Sequence, residues 1–400
     1  MTDMDQTRDL TRRALLRGGL TLGCSAAAFP LMTRVTFAAA PGDNRLVVIV
    51  LRGALDGLAA VEPYGDRELA AMRPNLATGG TKGSVDLDGR FALHPALGPL
   101  APLWRAGELS FVHAVSTPYR DKRSHFDGQD LLENGGGRAD GGMTAGRDGW
   151  LNRALGLLPG ARAQTAVAVG RENMLLLDGK NPALNWSPDS DLALTPQALD
   201  LFRMISAQDP LFDAAAKEAA AVDAERDMAG GGVARTVDAA SLAALTADML
   251  KGEARIAAFS LGGYDTPRDQ HRTLRKPLAQ LADAIAALKA GLGPVWERTA
   301  VMCVTEFGRT ARENGSHGTD HGTGGLMVYA GGALSGAKVH GDWPGLKPSD
   351  LYQDRDLMPT DDLRRHAAWT LRTLYGMDKA ALERDVFPGI SMGTDARILA

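Results

Sequence analysis

The chain has 400 residues, with 44 Lys and Arg against 48 Asp and Glu, a formal charge of −4 and 6% aromatic residues. Nearly balanced charge and few aromatics leave no basic, stacking surface of the kind nucleic acid needs, so that class of partner is excluded. The length suits one large α/β domain, and with only Cys24 and Cys303 present there is no disulfide framework.

Residues 1–40 read as an export signal. Thr11-Arg12-Arg13-Ala14-Leu15-Leu16-Arg17 is a twin-arginine pattern, followed by a moderately apolar stretch and by Ala38-Ala39-Ala40, a small-residue cleavage signature. Gly18, Gly19, Pro30 and Arg34 interrupt the apolar stretch, so no permanent membrane span is expected. The expectations are transient contact with the twin-arginine translocase, a periplasmic or secreted location, and a domain over residues 41–400. Cys303, within an apolar run, reads as a buried inert thiol.

Arg45-Leu-Val-Val-Ile-Val-Leu51 is a continuous apolar run without alternation, as expected of a central strand covered on both faces. It ends in Arg52-Gly-Ala-Leu-Asp56-Gly, which places Asp56 at the carboxyl end of the strand. Residues 94–104, opened by His94-Pro95, read as a short helix. Further buried strands are expected at 109–115, 164–169, 255–261, 299–305 and 326–330, separated by helices such as 277–289 with apolar residues at helical spacing. Alternating strands and helices predict a mostly parallel sheet with helices on both faces. Ala-rich residues from about 190 to 250 break this rhythm and read as a helical insertion or cap. The glycine-rich stretch 134–149 reads as a loop, either a lid or a plain crossing. Residues 361–375 form an amphipathic helix with acidic residues at its start, on which His366 reads as structural.

Polar groups recur just after the predicted strands: Asp56, the segment 116–127, Asp265, Glu306 with Arg309, and Asp320 with His321. A carboxylate after a strand is often only a helix cap. Five at the ends of separate strands suggest one site along a common sheet edge. The segment Ser116-Thr-Pro-Tyr-Arg120-Asp-Lys-Arg123-Ser124-His125-Phe-Asp127 combines a hydroxyl, an imidazole and cations suited to a phosphate, sulfate or carboxylate. Ser124 is either a nucleophile or a capping residue. His125, its neighbour, fits ligation or substrate contact better than a nucleophile–base pair, because adjacent side chains point apart in extended backbone. After Gly262-Gly263, Asp265 is placed to bind metal, while Asp269 and Gln270 are placed to cap a helix. His271, His317, Gln270 and His125 are secondary candidates, with His340 ranking below His321. Glu306 is open to two roles, a metal carboxylate or an ion-pair partner of Arg309. Asp and His together suit zinc, manganese, magnesium or calcium.

The order of a twin-arginine signal, Gly-x-x-Asp-Gly, His-Pro-x-Leu-x-x-Leu, Arg-Ser-His-Phe, Gly-Gly-Tyr-Asp-Thr, Thr-Glu-Phe-Gly-Arg-Thr and Asp-His-Gly resembles an exported family, domain of unknown function fifteen-hundred-and-one. That family is similar to the alkaline phosphatase and sulfatase superfamily. The resemblance implies a three-layer α/β/α sandwich with a mostly parallel central sheet, a helical insertion, and metal ligands at the carboxyl ends of the strands. It matches Asp56 to a first-strand metal aspartate, Ser124 to the nucleophile region, and Asp265, Glu306, Asp320 and His321 to the remaining metal positions.

Two functions follow as expectations. The first is a metal-assisted hydrolase of a phosphate or sulfate ester, with one or two divalent ions, Ser124 attacking, and Arg123 and Arg309 clamping the anion. The second is a non-catalytic exported binding or assembly protein with a degenerate site, binding a glycan or a co-secreted protein and holding no metal. Pro267 and Phe307 favour the second, since each stands where the resemblance would place an imidazole.

Overall fold

The computed structural model describes residues 43–187 and 238–400, except 82, 139–141, 143–145 and 173. The expected export signal and most of the expected insertion lie outside the described residues. Among the described residues the strands are β1 (Arg45–Leu51), β2 (Val61–Glu62), β3 (Val85–Asp86), β4 (Ala92–Leu93), β5 (Leu109–Ser116), β6 (Ala166–Val169), β7 (Leu184–Trp186), β8 (Ile256–Leu261), β9 (Thr299–Val304), β10 (Gly325–Ala330), β11 (Val339–His340) and β12 (Asp361–Asp362). The helices used below are α1 (His125–Asn134), α2 (Trp150–Leu155), α3 (Ala239–Lys251), α4 (Arg275–Leu292) and α5 (Leu363–Tyr375).

The central sheet runs β11-β5-β10-β9-β1-β8-β6-β7, with β12 also pairing β5, while β2, β4 and β3 form a small separate sheet. β1 is wholly buried, as its unalternating sequence demands. Val47, Ile49 and Leu51 join a core layer with α3 and α4 on one face, and Leu46, Val48 and Val50 join a layer with α2 and α5 on the other. The result is an α/β/α sandwich. Burying each such aliphatic side chain contributes about 1.5–3 kcal/mol. Helix α4 turns Leu278, Leu281, Ile285, Leu288 and Leu292 toward the sheet, at the three- and four-residue spacing of one face. Helix α3, which falls within the expected insertion, packs against α4 as part of this layer.

One strand departs from the parallel pattern. β10 pairs antiparallel with both β9 and β5. The reason lies in its connection: residues 305–324 contain no crossover helix, so the chain that leaves β9 turns back beside it. That return places the loop at the same sheet edge as the carboxyl ends of β1, β5 and β8.

Candidate metal centre

Three of these strand ends bring one group together. His125, Asp265 and His321 each offer a ligand atom, all within 4.8 Å of one another. His125 comes from the first turn of α1 after β5, Asp265 from the turn after β8, and His321 from the loop between β9 and β10. Asp265 Oδ1 lies 3.3 Å from His321 Nε2, and Oδ2 lies 3.4 Å from His125 Nε2 without hydrogen-bond geometry. The two imidazole rings meet edge to face with centroids 4.2 Å apart.

The outer nitrogens of both rings are already committed. His321 Nδ1 donates to the Arg123 carbonyl at 2.8 Å. His125 Nδ1 donates to Glu306 Oε1, also at 2.8 Å. In the neutral tautomers so fixed, both Nε2 lone pairs face the Asp265 carboxylate, an arrangement that needs a cation or an extra proton between them. His125 Nε2 is a buried nitrogen with no hydrogen-bond partner. Imidazoles oriented by a carboxylate or a carbonyl on the far nitrogen are the usual support of a metal ion. The donor set therefore fits a divalent ion.

The electrostatics agree with this geometry. The Glu306 hydrogen bond raises the His125 pKa, against the lowering effect of burial, and the Glu306 and Asp265 charges add to the rise. Burial alone would raise the Asp265 carboxyl, but the Arg309 hydrogen bond and charge, with His321 and His125, hold it below the ordinary carboxylate value. Glu306 is buried, a condition that would raise its pKa, yet hydrogen bonds from His125, Gln129 and the Gly53 amide keep it low. The absence of a side chain at Gly53 makes this approach feasible: its φ is +112°, and a Cβ there would stand 2.5 Å from the Asp265 amide nitrogen.

The loop carrying His321 is a narrow hairpin in which Arg309 and His321 are bridge partners. Directly opposed residues of an antiparallel pair project to one face, and both reach Asp265, with Arg309 Nη1 2.7 Å from Oδ1. The same alternation corrects the expectation for Asp320. As the neighbour of His321 in extended backbone it points the other way, is exposed, and accepts from Asn314 Nδ2 at 2.9 Å.

The other expected residues also take defined places. Asp56 is buried and outside the triad: Arg73 grips both its oxygens at 2.7 and 3.1 Å, and Gln270 donates to it as well. An arginine thus stands beside the carboxylate where a metal was expected. Glu306 accepts from His125 Nδ1, and among the described residues it forms no ion pair with Arg309. Arg309 is buried against Thr319 and Asp265, so it holds Asp265 and is not an exposed anion clamp. Arg123 is paired to Asp356 at 3.0 Å and offers the triad its carbonyl. Ser124 caps α1, accepting from the Asp127 amide at 3.5 Å. His271 and His317 are exposed and lie outside the triad.

Phe307 is not an empty position in this arrangement. Its ring stacks on His125 with centroids 5.4 Å apart, and Gly128 on α1 leaves room for it, since a Cβ there would stand 2.9 Å from the ring. His125 ranked only second in the sequence because its partners come from distant strands. Its place at a helix start after a buried strand was the available signal. Gln129, which donates to Glu306 at 3.2 Å and accepts from Arg52 at 2.8 Å, had no such signal.

Fold and site together are an α/β/α sandwich with two imidazoles and a carboxylate at one sheet edge. The model of the family described as "Protein of unknown function (DUF1501)" matches residues 43–382, and the chain belongs to this family. No curated protein matches the sequence. Among solved structures, the chain is similar to the integral membrane protein lipooligosaccharide phosphoethanolamine transferase A from Neisseria meningitidis, at 11% identity and TM-score 0.37 over 82% of this chain and 57% of that one. It is also similar to the C-terminal periplasmic domain of EcEptC from Escherichia coli in complex with Zn, at 9% identity and TM-score 0.36, covering 73% of this chain and 74% of that one. A third similarity is to the lipoteichoic acid synthase LtaP from Listeria monocytogenes, at 8% identity and TM-score 0.34, covering 76% and 67% of the two chains. The chain thus spans less than two thirds of the first of these proteins. Among the described residues no helix is long and apolar enough to cross a membrane.

Proposed function

We propose that the chain is an exported, metal-assisted hydrolase of a phosphate or sulfate ester, built on one divalent ion held by His125, Asp265 and His321. The observation that carries this reading is the openness of the triad. The side chains of His125, Asp265 and His321 are 26%, 45% and 28% exposed, and three protein ligands leave coordination positions for water and substrate. A closed structural site would surround its ion instead.

The ion would supply Lewis-acid polarisation of the ester and of a water. The chain's own residues orient and hold: Glu306 and the Arg123 carbonyl fix the two ring tautomers, and Arg309 keeps Asp265 ionised and in place. The donor set suits zinc or manganese, and two imidazoles with one carboxylate also suit ferrous iron. Ser124, one residue before His125, is the proposed attacking hydroxyl. Its capping bond is long at 3.5 Å, which leaves the oxygen weakly committed.

A second reading, a non-catalytic exported binding protein, is favoured by the Asp56–Arg73 pair, which closes off one of the expected ligand carboxylates. One assay separates the two. Protein loaded with zinc or with manganese is offered p-nitrophenyl phosphate and p-nitrophenyl sulfate. Metal-dependent release of p-nitrophenol, abolished in Asp265→Ala and in His125→Ala, supports the hydrolase. No turnover of either ester, whether or not metal is retained, supports the binding protein. Ser124→Ala should cost no more than about 0.5 kcal/mol of stability through the lost, weak cap in either case. Only a nucleophile would also lose turnover.

A further inference from the structure

A second pocket lies apart from the triad, between the short helix Gly57–Ala60, residues 75–78, His94-Pro95 and the start of α4. Its volume is about 370 Å³, within the range of small-molecule sites, and none of His125, Asp265 or His321 lines it. Ala59, Leu76, Pro95 and Leu274 supply an apolar wall.

The lining carries one carboxylate, Glu62, whose charge acts on His94 but whose oxygens are already occupied, so the groups free to bind are donors. Glu62 is satisfied internally: its two oxygens accept from the Thr78 amide at 3.0 and 2.9 Å, from Thr78 Oγ1 at 2.6 Å and from the Gly79 amide at 2.7 Å. His94 Nδ1 accepts from the Ala96 amide at 3.0 Å, which puts the ring proton on Nε2 and makes that nitrogen a donor. Arg275 and His271 are exposed and form no ion pair with any carboxylate among the described residues. The remaining groups are therefore a guanidinium and two imidazoles, the donors an oxyanion needs.

The wall behind them is fixed. Gln270 lines the pocket, yet both ends of its amide are committed, Nε2 to Asp56 and Oε1 to Thr319 Oγ1 at 2.6 Å. A pocket whose wall is already held in place loses little order when it is filled.

We propose that this pocket binds a small organic anion, with its carboxylate or phosphate group on Arg275, His271 and His94 and its carbon skeleton against the apolar wall. The test is calorimetric titration of the purified protein with D-glucuronate and with glucose 6-phosphate, using glucose as the neutral control. The two anions separate a carboxylate from a phosphate source. Saturable binding of at least one is expected, with a dissociation constant on the order of 0.1–1 mM. It should weaken tenfold or more in Arg275→Ala, a surface change whose folding is verified by thermal melting. Asp265→Ala should leave it intact, so failure of the triad and failure of this pocket read out separately. Binding of neither anion above glucose, or an affinity unmoved by Arg275→Ala, would overturn the proposal.

Discussion

His125 Nε2 stands 3.4 Å from Asp265 Oδ2 while the opposite nitrogen of the same ring donates to Glu306 at 2.8 Å. A carboxylate on one side fixes the tautomer, so the ring presents a lone pair to a second carboxylate. Glu306 is then a positioning residue. Changing Glu306→Gln should lower affinity for zinc by about 10–100-fold while leaving the ion in the same place. Competition with a chromophoric chelator measures this, and an unchanged affinity would show that Glu306 does not support the site.

Asp320 and His321 are neighbours in sequence and should behave as strangers. Because they face opposite sides of the hairpin, Asp320→Ala should leave metal content and affinity as in the parent, whereas His321→Ala should remove stoichiometric binding. Elemental analysis after gel filtration distinguishes them. Equal losses would mean that the hairpin presents both side chains to one ion.

The Asp56–Arg73 pair predicts a stability effect separate from the metal. Both side chains are buried, and Arg73 also donates to the Ala311 carbonyl at 2.9 Å. Arg73→Met would strand a buried carboxylate and should cost about 3–5 kcal/mol in urea unfolding. A change below about 1 kcal/mol would indicate that Asp56 is solvated or otherwise neutralised, since surface pairs contribute no more than that.

How much of this was legible in the sequence follows from the range of each signal. The apolar runs that became β1, β5, β8, β9 and β10 needed only local pattern, and each is buried where expected. The direction of β10 was not local: it depended on the missing crossover helix between 305 and 324. At the site, Asp265 and His321 were marked by glycine-rich turns after strands. His125 acquires its meaning only from Glu306, which lies 181 residues away. Asp320 ranked with His321 because adjacency was read as joint ligation, whereas the extended backbone alternates its side chains and the candidate group contains His321 without Asp320. Asp56 looked like a ligand because nothing in the sequence links it to Arg73.

Stability should depend on pH through His113. Burial pushes its pKa from 6.5 down to about 4, against the raising effect of its hydrogen bond to the Val61 carbonyl at 2.9 Å. Below pH 6.5 the unfolded chain takes up a proton that the folded chain refuses. The stability associated with a neutral His113 is therefore complete above pH 6.5 and declines as pH falls toward 4, by about 3 kcal/mol at most. His113→Gln keeps a donor for Val61 and removes the titration. Urea midpoints between pH 4 and 7 should fall less steeply for the variant, and parallel slopes would refute the assignment.

The most direct measurement is a crystal of the zinc-loaded protein, with anomalous data recorded at the zinc edge. One strong peak is expected, bounded by His125 Nε2, His321 Nε2 and an Asp265 oxygen, at about 2.0–2.2 Å from each. No peak there, or a peak at Asp56 or Asp320 in its place, would contradict the proposed site.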